Sequence, residues 1–317
     1  MFSAVKEAIQ PAKIKILGIG GAGGNAVNRM IAYGFKGVDF IAANTDLQIL
    51  SVSNAPIKLQ IGKNVAKGLG VGGNPEIGKK SAEESRDEIR EMIEGTDMLF
   101  LTAGMGGGTG TGAAPVIAEI AKELGILTVA IITKPFKFEG KKRFENAEKG
   151  IKLLREIVDT TLIIPNEKLK DISERSTPLN DVFESADTIL YQAAKGISDI
   201  IITPGLVNRD FADVKTVMSY RGDAVIGTGY AKGDSKGASA AQIALDCPIL
   251  EDSSVEGASA ILVTITGPRN LSIGDIDDAM AIIRKRTGED AEITFGAVFE
   301  DGLEDEIRIT IVATGIN

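Results

Sequence analysis

Six glycines fall within the nine residues Gly104-Met105-Gly106-Gly107-Gly108-Thr109-Gly110-Thr111-Gly112. Glycine loses more backbone freedom on folding than any other residue, so ordering this many together is costly and needs a compensating role. Anion binding is the chemistry that fits. Without Cβ atoms, backbone N–H groups can close around a phosphate as a nest, with the Thr109 and Thr111 hydroxyls as further donors. The plain alternative is a flexible linker. Its place between the apolar run 98–103 and a helical pattern over 113–124, with Pro115 in the expected first turn, speaks against that. A second cluster, Gly18-Ile19-Gly20-Gly21-Ala22-Gly23-Gly24-Asn25, has the spacing G-x-G-x-x-G between a strand-like and a helix-like run. That matches a dinucleotide fingerprint formally, and by itself it is also compatible with a tight turn. A third stretch, Gly68–Pro75 (GLGVGGNP), nearly continues into a P-loop. Lys80 stands where the metal-binding Ser/Thr belongs, so the match reads as coincidence and the stretch as another phosphate-contacting loop or a surface loop. Three such loops suit a polyphosphate wrapped from several sides better than a nicotinamide cofactor.

Two side-chain pairs four residues apart can each share a helical face: Glu139 with Arg143, and Phe183 with Asp187. An aromatic plane beside an acceptor-only carboxylate suits guanine, whose N1–H and N2–H₂ are donors. Phe183 could equally be core and Asp187 a solvated helix position. Asp210 and Asp213 follow a long helical pattern and by themselves would be ordinary surface acids. The chain has no histidine, which removes His-based acid–base catalysis, Ser-His-Asp triads and zinc-hydrolase sites. The single cysteine, Cys247, allows no internal disulfide and fits a reducing, cytoplasmic compartment. A net charge of −9 disfavours DNA and anionic lipid, and 5% aromatics without tryptophan disfavour single-stranded nucleic acid. No nucleic-acid partner is expected. No apolar run reaches the ~20 residues of a membrane span, and no signal peptide or lipidation motif is evident. Direct membrane insertion is therefore not expected either.

The elements that would hold these residues read as alternating strands and helices. Residues 13–19 (KIKILGI), 38–43, 98–103, 127–133 and 161–164 are apolar runs, with helical patterns at 25–33, 81–93 and 113–124. That rhythm predicts a parallel sheet covered on both faces. From Pro178 a long helix is expected, because Val182, Phe183, Ala186, Ile189, Leu190, Ala193, Ile197 and Ile200 recur at threes and fours. Thr203-Pro204-Gly205 should stop it. Strands are then expected at 224–230, 260–266, 293–299 and 306–313, with helices at 239–246 and 273–286. The acidic, glycine-containing turn between the last two strands predicts a hairpin.

The sequence GGGTGTG at 106–112 resembles the signature of the tubulin/FtsZ GTPase family. ANTD (43–46), GLGVGGNP (68–75), KPFKFEGKKR (134–143) and NRDFADV (208–214) stand around it in the order found in bacterial FtsZ. The resemblance runs from about residue 13 to the end. It implies an α/β chain: an extension at 1–12, a parallel-sheet, Rossmann-like GTP-binding domain at 13–178, a central helix at 179–203, and at 204–317 a smaller α+β domain with a mixed four-stranded sheet. It implies that Gly20, Gly21, Ala22, Gly23, Gly24 and Asn25 hold the nucleotide, and that Gly104, Gly106, Gly107, Gly108, Thr109 and Gly110 cradle phosphates. Asn44, Gly70, Gly72 and Pro135 join them, Glu139 and Arg143 lie at the ribose, and Asn166, Asp187 and Phe183 meet the guanine. GTP or GDP is the implied nucleotide. Mg²⁺ is implied to be held by phosphates and water, with no protein metal ligand.

Asp187 and Thr203 are 16 residues apart on one expected helix, about 24 Å. Asp210 and Asp213 would then sit too far away to touch the phosphates of their own nucleotide. The resemblance implies that Asn208, Asp210 and Asp213 act on the GTP of the next subunit, so head-to-tail self-assembly would complete the site. It implies localisation at the midcell division septum, and tethers and regulators that dock on a C-terminal peptide, which the sequence to Asn317 does not contain. Two rival readings stand beside this one. Gly18-x-Gly20-x-x-Gly23 with Asp46 could serve an NAD-dependent oxidoreductase, although GGGTGTG is then unexplained. A relative that binds nucleotide without hydrolysing it is the other, against which the presence of Asp210 and Asp213 counts.

Overall fold

The structure is a computed structural model and describes residues 12–316 apart from 172, 175, 204, 208, 221, 252–254, 289 and 290. Its first half alternates β1 (Ile14–Ile19), α1 (Gly20–Ala32), β2 (Asp39–Asn44), α2 (Leu47–Ser51), β3 (Ile57–Gln60), α3 (Pro75–Glu84), α4 (Arg86–Ile93), β4 (Met98–Gly104), α5 (Thr109–Glu123), β5 (Leu127–Lys134), α6 (Lys141–Ile157) and β6 (Thr160–Pro165). The six strands pair in parallel in the order β3-β2-β1-β4-β5-β6. Helices cover both faces, which is why these strands are continuous apolar runs: Ile16, Leu17 and Ile19 of β1 and residues 98–101 of β4 are at most 1% exposed. The strand order reverses between β1 and β4. Loops leaving their carboxyl ends diverge there and open a crevice, the usual ligand position in sheets of this kind.

The sequence then enters α7 (Leu179–Ile202), 24 residues and roughly 36 Å long. Its buried stripe, from Val182 through Ala186, Leu190, Ala193 and Ile197 to Ile200, has the expected spacing. Beyond it lie β7 (Gly205–Val207), α8 (Phe211–Met218), β8 (Asp223–Ala231), α9 (Lys236–Leu245), α10 (Pro248–Glu251), β9 (Ala260–Gly267), α11 (Ile273–Thr287), β10 (Glu292–Phe299) and β11 (Ile307–Ile316). Four of these strands form a mixed sheet in the order β8-β11-β9-β10, and the three-residue β7 is added at its edge. β9 and β10 are parallel, whereas β11 runs antiparallel to both β8 and β9. Parallel pairing of Thr161 with Asp223 and Leu162 with Ala224 joins the two halves into one eleven-stranded sheet.

Four local expectations change. β10 and β11 do not form a hairpin, because β9 lies between them and pairs with both. α1 starts at Gly20 rather than at residue 25, so the first glycine cluster is the opening of the helix itself. α5 likewise starts at Thr109, which puts Pro115 in its second turn. The helix expected over 81–93 is two helices broken at Ser85, whose hydroxyl accepts the Gly62 N–H at 3.1 Å. α3 begins at Pro75 with the Asn74 side chain capping it at 3.0 Å, so the near-match at 73–80 is not built as a P-loop.

Candidate functional site

A cleft of about 350 Å³ opens where the strand order reverses. One wall is the first turns of α1, at Gly21, Ala22 and Asn25. The floor is made by the ends of β4 and β5, at Gly104, Met105, Thr133 and Pro135. Glu139, Arg143 and Asn166 close one side, and Phe183 and Asp187 of α7 close the other. Local sequence explains the close approach of the first wall to the floor. A Cβ on Gly23 would lie 2.2 Å from the Thr102 carbonyl oxygen, and one on Gly104 would lie 2.6 Å from the Ala22 Cβ. Only glycine lets α1 settle this tightly on β4.

The three glycine stretches are in contact. Gly20 has φ +72°, and a Cβ there would meet the Gly110 nitrogen at 3.1 Å. Gly108 packs against the third stretch, where a Cβ would meet Val71 Cγ2 at 2.4 Å and the Asn74 nitrogen at 2.8 Å. Thr45, fully buried at the end of β2, ties two of the loops together. Its hydroxyl shares a 2.8 Å hydrogen bond with the Thr109 hydroxyl, and its carbonyl accepts the Gly70 N–H at 3.3 Å. Thr111 has a second part in the loop. It is buried, and its hydroxyl accepts the Gly106 N–H at 2.8 Å, holding the loop in shape.

Among the expected residues, Gly21, Ala22, Asn25, Gly104, Pro135, Glu139, Arg143, Asn166, Phe183 and Asp187 line the cleft. Gly23 and Gly24 are buried in the opening turns of α1, while Thr109 and Gly110 lie against Gly20. A Cβ on Gly106 would meet Arg143 and Pro135 of the cleft, Gly108 packs on the third stretch, and Gly107 adjoins it in the loop. Gly70 lies at Asp46, and Gly72 is exposed with no close neighbour. Asn44 is buried at the end of β2. Asp210 and Asp213 are exposed at the start of α8, away from the cleft, with Arg209 3.9 Å from Asp213. Asn208 lies outside the described residues. Ala103, Met105, Thr133, Ala186 and Leu190 also line the cleft and were not expected. A sequence signal existed for Thr133, because β5 follows β4 in parallel and Thr133 is the register partner of Gly104.

The polar groups are held ready for a ligand. Glu139 accepts the Phe136 N–H at 3.0 Å and pairs with Arg143 at 2.9 Å, which fixes both side chains at the rim. Phe183 is 39% exposed and meets Phe136 edge to face at 5.5 Å, leaving a ring face available. Burial pushes the Asp187 carboxyl up to about 6; Arg29 opposes the shift and Glu184 adds to it. Arg29 is itself bonded to Glu184 at 2.7 Å, which weakens its hold on Asp187. Among the described residues five buried side-chain polar atoms have no hydrogen-bond partner, and two of them belong to expected site residues, Asn166 Oδ1 and Asn44 Nδ2. Burying unpaired polar atoms is costly, and the Asn166 oxygen is a vacant acceptor on the cleft wall. A base with a donor edge fits this position. Among the described residues no acidic cluster suited to a metal ion is found.

Residues 13–174 match the model of the tubulin/FtsZ family GTPase domain, and residues 222–317 match that of the FtsZ family C-terminal domain. The chain is 50% identical over 316 residues to the cell division protein FtsZ of Coxiella burnetii (strain RSA 493 / Nine Mile phase I), covering all of this chain and 82% of that one. A structure described as an empty FtsZ dimer from M. jannaschii superposes with a TM-score of 0.92 at 43% identity, over 97% of this chain and 89% of that one. A GTPγS-bound protofilament of CetZ2 from Haloferax volcanii shares the fold, with a TM-score of 0.81 at 21% identity over 96% and 93% of the two chains. The oxidoreductase reading of the first glycine cluster falls with these matches. The chain belongs to the tubulin/FtsZ family of GTPases, and within it to the cell-division FtsZ branch.

Proposed function

We propose that this chain polymerises head to tail and hydrolyses GTP at the junction between two subunits, building the division ring at the septum. The observation that carries the reading is the separation of the cleft from the two exposed acids. Phe183 and Asp187 stand at the start of α7, and Asp210 and Asp213 stand beyond its end. From Asp187 to Ile202 the helix alone spans roughly 22 Å. The acids of one subunit therefore serve the nucleotide of the next. That contact is heterologous, so repeating it makes an open filament.

In this reading the loops at 20–25, 68–74 and 104–110 surround the phosphates with backbone N–H groups. Glu139 and Arg143 hold the ribose. Asp187 and Asn166 accept from guanine N1–H and N2–H₂, and Phe183 packs on the base. Asp210 and Asp213, with Asn208, orient the attacking water at the γ-phosphate of the neighbour and accept its proton. Catalysis of this kind is mostly positional and electrostatic. Mg²⁺ would supply charge neutralisation on the phosphates, held by them and by water. The M. jannaschii dimer supports the pairing of subunits.

Steady-state phosphate release measured against protein concentration tests the reading. Turnover per subunit should rise steeply above the concentration at which sedimentation detects polymer. Equal turnover per subunit in dilute, unassembled protein would overturn it.

A further inference from the structure

A second and larger cavity, about 520 Å³, lies outside the cleft already described. It is a groove over α5, with α3 on one side and α6 on the other. Glycines create it. Gly112 brings α5 against α3, where a Cβ would sit 2.0 Å from the Pro75 carbonyl oxygen. Gly150 brings α6 down onto α5, where a Cβ would sit 2.5 Å from Thr111 Cγ2. The floor is apolar, with Val116, Leu153 and Ile157, and Leu153 is 53% exposed. Pro115 lies in the floor and has no N–H to give the Thr111 carbonyl four residues earlier.

The rim carries three lysines, Lys79 on α3 and Lys142 and Lys149 on α6. Two carboxylates share the lining, Glu76 on α3 and Glu119 on α5, and Glu119 faces Arg86 at 3.9 Å. Among the described residues, none of the three lysines has a carboxylate within ion-pair distance, whereas Lys141 and Lys134 on or beside the same helix do. Three lysines against two carboxylates give the groove a net positive rim in a chain whose net charge is −9. A volume in the few-hundred Å³ range, an apolar floor and a few convergent polar groups describe a small-molecule site.

We propose that this groove is a second ligand site, for a small anionic amphiphile: an aromatic or aliphatic body on Val116, Leu153 and Ile157 and one carboxylate, sulfonate or phosphate between the lysines. The site stands apart from the nucleotide cleft but shares a wall with its loops. Gly72, Gly73 and Asn74 line the groove, and the same segment packs on Gly108. Resting on the nucleotide reading for this consequence alone, occupancy of the groove and the identity of the bound nucleotide should influence each other.

The probe for the test is 1-anilinonaphthalene-8-sulfonate, titrated by fluorescence into the full chain with GDP bound. The double variant Lys79→Glu/Lys149→Glu should lose at least tenfold in probe affinity while binding GDP as before, which also shows that it is folded. The Lys141→Glu variant, altered outside the groove, should keep it. Equal probe affinity in the double variant would overturn the proposal, as would equally tight binding of the uncharged analogue N-phenyl-1-naphthylamine. Exchanging GDP for GTPγS should change the probe affinity about threefold or more, and an unchanged value would remove the coupling. Loss of GDP binding in the wild-type chain would instead strike the nucleotide reading, so the two failures are distinguishable.

Discussion

The ionisation of Asp187 makes nucleotide affinity pH-dependent in a way that can be worked from the structure. Burial holds the carboxyl near 6 in the nucleotide-free chain, against an ordinary 3.8. Guanine offers donors, so only the ionised carboxylate accepts both of its hydrogen bonds. The apparent dissociation constant should then grow as one plus ten to the power of the pKa minus the pH: about twofold weaker at pH 6 and about elevenfold at pH 5 than at pH 7.5. That is roughly 1.4 kcal/mol of binding at pH 5. Stability of the nucleotide-free chain moves the other way. Folding raises this pKa, so the ionised group lowers stability above pH 6, and the deficit fades as the pH falls toward 4. At neutral pH the deficit is at most about 3 kcal/mol. The assay is fluorescence titration with N-methylanthraniloyl-GDP from pH 7.5 to 5, on the wild type and on Asp187→Asn. A terminal phosphate also titrates near pH 6, and the asparagine variant isolates that contribution. If both proteins give the same pH profile, Asp187 does not read the base through its charge.

Three further outcomes follow from named contacts. Gly23→Ala places a methyl on the Thr102 carbonyl; backbone must shift, so stability should fall by about 2–3 kcal/mol or more in urea unfolding, with nucleotide affinity lost in parallel. Thr45→Val removes the hydroxyl bond to Thr109; GDP affinity should stay within about twofold while GTP turnover drops about fivefold or more, a cost near 1 kcal/mol, and Thr45→Ser should restore it. Arg308→Met leaves Asp199, 3% exposed, with Lys195 as its remaining cation; calorimetry should show a loss of about 2–4 kcal/mol with the cleft intact.

The first half of the fold was legible because buried parallel strands are uninterrupted apolar runs, as in residues 98–101, and these runs alternate with helical patterns and end at glycines. The hairpin expectation failed because a local turn signal between β10 and β11 carries no information about β9, which inserts between them from earlier in the chain. Glycine blurred the helix starts: Gly20 to Gly24 look like loop by propensity, yet they open α1 because close packing on β4 outweighs the entropy lost. β7 has only three residues, too short to carry a period. At the cleft, residues with donors, charges or a ring were readable. Met105, Ala186 and Leu190 were not, because an apolar wall has the composition of any core. Nor could spacing reveal Thr45, whose partners Gly70 and Thr109 are distant in sequence and meet only in the folded sheet.

The central claim is that a complete hydrolytic site takes residues from two molecules. Mixing two disabled variants tests it most directly: Asp213→Ala, which keeps its own cleft, and Gly108→Trp, whose bulk against Val71 and Asn74 disrupts the glycine loops but whose Asp210 and Asp213 are intact. Each alone should release phosphate at a few per cent of the wild-type rate or less. The mixture should recover activity at concentrations where the two co-assemble, with the Gly108→Trp subunits lending their acids to nucleotide held by their neighbours. An Asp213→Ala protein that hydrolyses GTP at the wild-type rate by itself, or a mixture no more active than its components although the two co-sediment, would contradict the account.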